Sequence, residues 1–173
     1  MSALAAAKPP RAAGRADLLP IFRRHASAVA VITSGAREKP HAFTVTSLVD
    51  VPNDPPLLAF SVRRPSLARD RWTAGPVGTV HLLHAAQSAL ADTCADPAVD
   101  SFDGTHPWRW HEAGGPVFAD ALAWLTVEGC GARPVGDHDL ILAEIRDVLL
   151  RPGAVPLLRF DHRYVGLEPG ANR

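Results

Sequence analysis

The sequence predicts a mainly β domain, with antiparallel strands closing into a barrel and a few short helices at its periphery. Three observations carry this. Segments rich in β-branched and apolar residues recur along the chain, turn residues separate most of them, and only two or three short stretches suit a helix. Hairpin-linked strands close most easily as an antiparallel barrel, since closure leaves no unpaired edge. No alternating strand–helix period and no G-x-G-x-x-G turn occurs, which argues against a parallel dinucleotide-binding sheet.

The chain has 173 residues, 47% of them hydrophobic, enough for one domain with a real core and too few to expect two. Residues 1–16, rich in Ala, Pro and Arg, read as a disordered tail, 17–168 as the domain and 169–173 as a second tail. Asp17 can N-cap a short helix bearing Leu18, Leu19, Ile21 and Phe22. AVAVIT (28–33) is a strand stopped by Ser34-Gly35, and HAFTVTSLVDV (41–51) a second strand. A turn over 52–56 leads to the strand LLAFSV (57–62). Ser66 caps a helix that Gly75-Pro76 ends; a strand (77–83) and a short helix (85–94) follow. Residues 95–120 have no sustained period and read as a long ordered loop or lid. Two long strands, 121–132 and 136–150, and two short ones, 156–158 and 164–167, complete the count.

Lys plus Arg and Asp plus Glu number 18 each, and this balance argues against nucleic acid as the main partner. Cys94 and Cys130 have neither disulfide nor zinc spacing and read as two buried small hydrophobes. No apolar run is long enough to span a membrane and no signal-peptide pattern stands at the N-terminus, so a cytoplasmic location is expected.

Three segments could carry chemistry. Thr44, Thr46 and Ser47 place hydroxyls at the end of an apolar strand, where they could pair the polar edge of a flavin; the same pattern suits a strand with Thr toward solvent. Arg63, Arg64 and Ser66 join a strand end to a helix start, which makes either a phosphate site or an ordinary cap beside solvated arginines. His138 opens GDHDLILAEI on the face of Leu140 and Leu142, and could meet a nicotinamide or protonate a product; a structural role is the other reading. His106 and His111 flank Trp108 and Trp110 without a third ligand at recognised spacing, so no metal is expected.

Taken together, FRRHASAVAVIT, FTVTSL, DPPLLAFSV, RPSLA, GDHDLILAEI and PLLRFDHRYVGL resemble the short-chain NAD(P)H:flavin oxidoreductase family, from about Ile21 to Leu167. The resemblance implies the FMN-binding split β-barrel, antiparallel and Greek-key-like, and hydride transfer from nicotinamide to FMN or FAD. NADH rather than NADPH is expected, because no basic cluster beyond Arg133 lies near GDH. It implies that Thr44, Val45, Thr46 and Ser47 line the isoalloxazine and ribityl chain, with Ser61, Arg64 and Ser66 near the phosphate. It further implies that Ser27 and Ala28 approach the ring, and that His138 contacts the nicotinamide side as the catalytic residue, with Tyr164 close by. A homodimer, and a partner flavin-dependent monooxygenase that receives diffusible reduced flavin, come with the family. Departures from its usual pattern are His41-Ala42-Phe43 before the hydroxyl-bearing strand, Asp50 and Pro52 in the next loop, and Ser101-Phe102 in the lid. They leave room for a flavin-binding protein that retains its flavin as an electron carrier, or that has no reductase activity.

Overall fold

The structure is a computed structural model describing residues 14–167; the remainder of the two expected tails lies outside the described residues. In chain order it contains α1 (Arg15–Phe22), β1 (Ser27–Ala28), β2 (Ala30–Ala36), β3 (Lys39–Val45), β4 (Val49–Asn53), β5 (Pro56–Arg63), α2 (Leu67–Ala74) and β6 (Val77–Leu82). A 3-10 turn (Ala85–Gln87) leads into α3 (Ser88–Ala95), followed by β7 (Trp108–His111), β8 (Gly115–Phe118), β9 (Ala123–Val135), β10 (His138–Leu150), β11 (Leu157–Phe160) and β12 (Arg163–Gly166).

Seven strands form one antiparallel sheet in the order β3-β2-β6-β9-β10-β5-β4. Its two edges, β3 and β4, are consecutive in sequence and joined only by residues 46–48. Laid flat, six strand spacings would separate those edges by about 29 Å. The four Cα steps from Val45 to Val49 reach at most about 15 Å. The sheet must therefore roll up, with a split between β3 and β4 where no ladder forms. Its rolled interior holds Ala30, Ile32, Phe43, Val45, Leu58, Phe60, Val80 and Ile141, and the rings of Phe43 and Phe60 meet across it at 6.3 Å. Trp72 of α2 packs edge-on to Phe60 at 5.3 Å and plugs one side.

β2 is buried on both faces, which explains its near-continuous apolar run. Val31, with Val29 beside the strand, points outward into a second cluster with Leu83, Leu90, Cys94, Phe118 and Leu157. Burial there pushes the Cys94 thiol up to about 11. β1, β11 and β12 form a small sheet alongside.

Five expectations need correction. Cys130, on β9, is exposed rather than buried. Asp17 is not the N-cap of α1: Gly14 caps it, and the Asp17 carboxylate accepts the Gly14 N–H at 2.9 Å from one turn in. Order thus begins before residue 17. The strand expected over 41–51 is two strands, because the chain must cross between the sheet edges at 46–48. Residues 95–120 contain the β7–β8 hairpin, whose Trp and His residues gave no period that sequence could detect. The helix expected over 85–94 begins as a 3-10 turn, with the His84 ring accepting the Ala86 N–H at 3.2 Å.

His81 of β6 is fully buried and joins this hairpin to the sheet. Its Nδ1 lies 3.1 Å from the Val31 carbonyl, and its Nε2 accepts the Phe118 N–H at 3.1 Å. Both contacts suit the neutral ring protonated on Nδ1, and burial pushes the pKa from 6.5 down to about 4. Below pH 6.5 the unfolded chain takes up a proton that the native ring refuses, so stability is complete above that pH and is lost as pH falls toward 4. The full loss amounts to about 3 kcal/mol. Denaturant midpoints measured across this window should fall for the wild type and flatten in His81→Gln.

Candidate functional site

The split in the barrel is bridged by a side chain. Ser47, in the three-residue crossing, accepts the Ser61 N–H at 2.9 Å, and its own hydroxyl faces the Ser61 carbonyl at 3.4 Å. β5 and β10 pair with Ser61 opposite Leu140 and Arg63 opposite His138. Because side chains alternate along a strand, Ser61, Arg63, His138 and Leu140 share the outer face, while Asp139, Ile141 and Ala143 turn inward.

An inward carboxylate at a strand mouth needs partners. Asp139, only 3% exposed, has two. Arg69 Nε donates to its Oδ2 at 2.9 Å. Arg64 Nε stands 3.0 Å from its Oδ1, an ion pair whose alignment falls short of a hydrogen bond. Arg64 also donates through Nη2 to the Gly136 carbonyl at 2.7 Å, and its backbone N–H to the Asp137 carbonyl at 2.8 Å. One buried acid thus ties together the end of β5, the first turn of α2 and the turn before β10. Ser66 caps α2 as expected: its Oγ accepts the Arg69 N–H at 3.2 Å and donates to the Arg63 carbonyl at 2.6 Å. His138 Nδ1 lies 2.8 Å from Asp137, and this hydrogen bond holds the Asp137 carboxyl below its usual range. A cavity of about 460 Å³ opens here, lined by Arg64, Pro65, Arg69, Asp70, Gly136 and Asp137.

On the other side of the crossing, Thr46 and Ser27 line a second cavity of about 170 Å³ with Phe22, Arg23 and Arg159. Ser27 Oγ is 3.1 Å from His25 Nδ1, and Ala28 pairs with Leu158. Of the residues expected at one site, the structure therefore ties Ser47 to Ser61 on β5, the strand whose end, opposite His138, leads to Arg64 and Ser66, and sets Ser27 with Thr46 in the second cavity. Since Thr46 and Ser47 are neighbours, both groups meet at the crossing.

Three expected residues turn elsewhere. Val45 is 7% exposed, with its side chain in the barrel core, so only its backbone can face a ligand. The Thr44 hydroxyl donates to the Ala91 carbonyl of α3 at 2.7 Å. Tyr164 packs against the outer cluster under the Arg159 guanidinium, 4.9 Å from its ring, and burial followed by the Asp92 contact raises its phenol pKa. His41 and Phe43 point to the same side as Val45 and do not crowd the crossing. Burial, followed by the charge of Arg71, lowers the His41 pKa.

The sequence reading missed Asp139 and Arg69. Asp139 was legible in principle: it falls on the inward parity of β10 with Ile141 and Ala143, where an acid demands a cation. Replacing it with Asn leaves both arginines without their anion. Thermal unfolding of Asp139→Asn should show a loss of about 1–3 kcal/mol, larger than that of Arg69→Gln, whose side chain is 38% exposed. Equal losses would show that the carboxylate is not the tie.

Residues 22–168 match the model of the flavin reductase like domain. An NADH:FMN oxidoreductase of Rhodococcus erythropolis is 30% identical over 157 residues, covering 88% of this chain and 82% of that protein. Among solved structures, an NADH:FAD oxidoreductase of Streptomyces globisporus C-1027, in complex with NAD and FAD fragments, superposes with a TM-score of 0.84. It is 31% identical, covering 91% of this chain and 95% of the other. The styrene monooxygenase flavin reductase of Pseudomonas putida S12 superposes with a TM-score of 0.79 at 26% identity, covering 88% and 98%.

Proposed function

The chain belongs to the family of flavin reductase like domains, and from that premise we propose that it is an NAD(P)H-dependent flavin reductase supplying diffusible reduced FMN or FAD to a partner flavin-dependent monooxygenase. What supports this is the family match together with the bond between Ser47 and Ser61, which ties the hydroxyl-bearing crossing to β5, the strand that leads into the Ser66 turn.

The residues fit a flavin in two respects. The crossing offers Thr46, Ser47 and irregular backbone, the donors and acceptors that a buried pyrimidine edge requires. The first-turn N–H groups of α2 lack intrahelical acceptors, and Ser66 Oγ takes only that of Arg69, which leaves amides for a phosphate. When bound, flavin and nicotinamide supply the hydride chemistry; the protein supplies stacking, orientation and polarity. Ser47 and Thr46 orient the ring edge. The Asp139 tie holds Arg64 and the Ser66 turn at a set distance from that edge. His138, on the same outer face as Ser61, meets the nicotinamide side, and Asp137 orients its ring through the 2.8 Å contact. Relatives are named for NADH with FMN or with FAD, and one for NADPH, which supports NADH as donor without excluding NADPH and leaves FMN and FAD both open.

Two further readings follow from the family. All eight residues of α1 remain outside the core, with Ile21 and Phe22 each 64% exposed, and a helix this short gains stability mainly from packing its apolar side. A second copy of the chain covers that side in a homodimer, which sedimentation will show. The site of action is the cytoplasm, where nicotinamide is recycled. Among the described residues no helix is long and apolar enough to cross a membrane.

Mixing the purified protein with NADH and either FMN or FAD should consume nicotinamide catalytically. Stoichiometric loss or none favours a retained flavin instead. Ser66→Asp keeps an N-cap, because aspartate caps helices as well as serine, while setting an anion against phosphate. Its flavin Michaelis constant should rise about tenfold or more, and an unchanged constant removes the phosphate assignment. His138→Ala should impair nicotinamide use more than flavin binding; equal losses contradict its role.

A further inference from the structure

The β7–β8 hairpin packs on the outer face of β2 and β6. Beside it lies a cavity of about 220 Å³, where Arg109 and His111 of β7 face Trp124 and Thr126 of β9 and Asp147 and Leu149 of β10. This cavity is far from the crossing. Leu140 pairs with Ser61, the partner of Ser47, whereas Leu149 stands nine residues further along the same strand. That separation is about 30 Å of extended chain.

Its polar groups are only partly committed. Thr33, Thr79 and Thr126 stand side by side in register across β2, β6 and β9. Thr33 donates to the Pro116 carbonyl and Thr79 to the Gly114 carbonyl at 3.0 Å, so two of the three hold the hairpin. The Thr126 hydroxyl has no partner among the described residues. Trp124 Nε1 is buried and has no acceptor there either. A buried donor that the fold leaves unmatched calls for an acceptor from outside it. Arg109 lies over the Trp124 ring, 4.9 Å from its centroid, and no carboxylate among the described residues pairs with it. His111 is two positions on along β7, on the same side of the strand. The one acid in the lining, Asp147, stands on β10, beyond Thr126 of β9, and its carboxylate accepts the Val148 N–H at 2.8 Å. Cation and N–H donors therefore gather on the hairpin side, against apolar walls of Val117, Leu149 and the indole ring. The volume equals roughly seven water volumes, room for one ring bearing a carboxylate but too little for a flavin or a dinucleotide.

We propose that this cavity is a second ligand site, separate from the crossing, for a small carboxylate that carries one aromatic ring. The carboxylate meets Arg109 and the Trp124 and Thr126 donors, and the ring packs against Val117 and Leu149. The site stands independently of the proposed reductase activity, and its binding is read without turnover. Benzoate titrated into the full chain in a calorimeter should bind with a dissociation constant of about 1 mM or tighter. Acetate, which lacks the ring, and benzamide, which lacks the charge, should each bind about tenfold more weakly. Trp124→Phe keeps a ring beneath Arg109 and removes the N–H; Arg109→Gln removes the charge from an exposed side chain and keeps the fold. Each should weaken benzoate about tenfold or more. Saturating FMN should leave benzoate binding unchanged. Absence of benzoate binding, equal binding by the wild type and both variants, or displacement of benzoate by FMN overturns the site.

Discussion

The constraint on which the rest depends is the three-residue crossing from β3 to β4. Strands consecutive in sequence but at opposite edges of a seven-stranded sheet can be joined so briefly only if the sheet rolls. Rolling creates the interior filled by Phe43, Phe60 and Ile141, and leaves a seam with no ladder. Ser47 supplies the hydrogen bond that backbone does not, satisfying the Ser61 N–H at 2.9 Å. Irregular backbone with its own polar groups, set beside a rigid barrel, is a natural place for a ligand that is itself flat and polar-edged.

The barrel's two rims on either side of that seam are organised by different electrostatics. On one, the buried Asp139 gathers two arginines and joins three chain segments. Its charge is compensated locally, so the rim is held in shape more than it is made attractive to anions, and a phosphate there depends on the α2 amides. On the other, Arg23 donates to His162 and the Arg159 guanidinium lies over the Tyr164 ring.

Much of the strand order was legible. The β-branched runs at 28–33 and 57–62, the long strands 121–132 and 136–150 and the Ser66 cap all lie within a few residues of β2, β5, β9, β10 and α2. Errors fell where tertiary demands overrode local pattern. Residues 41–51 alternate like one strand, yet the chain breaks at 46–48 because barrel closure needs a crossing there. The β7–β8 hairpin has a pattern spoiled by Trp, His and Gly residues that serve contacts to the sheet. Among these, Gly114 approaches so closely that a Cβ would stand 2.4 Å from the Thr79 hydroxyl. In the candidate site, residue types were readable, but which hydroxyls were already committed was not: Thr44 to Ala91 and Ser47 to Ser61 look alike in sequence.

By itself, then, the sequence determined the class of fold, the approximate strands, the cap at Ser66 and a family pattern of motifs, since these depend on local propensity and on order along the chain. Only the tertiary structure decided that Val45 faces the core, that Asp139 holds Arg64 and Arg69, and that Arg23 meets His162 across 139 positions. Such pairings bring distant segments together through barrel closure and through the hydrogen bonds of Arg23, just after α1, to the β11–β12 turn. No local spacing encodes them, because the entropy of closing those long loops is offset only by the whole core at once.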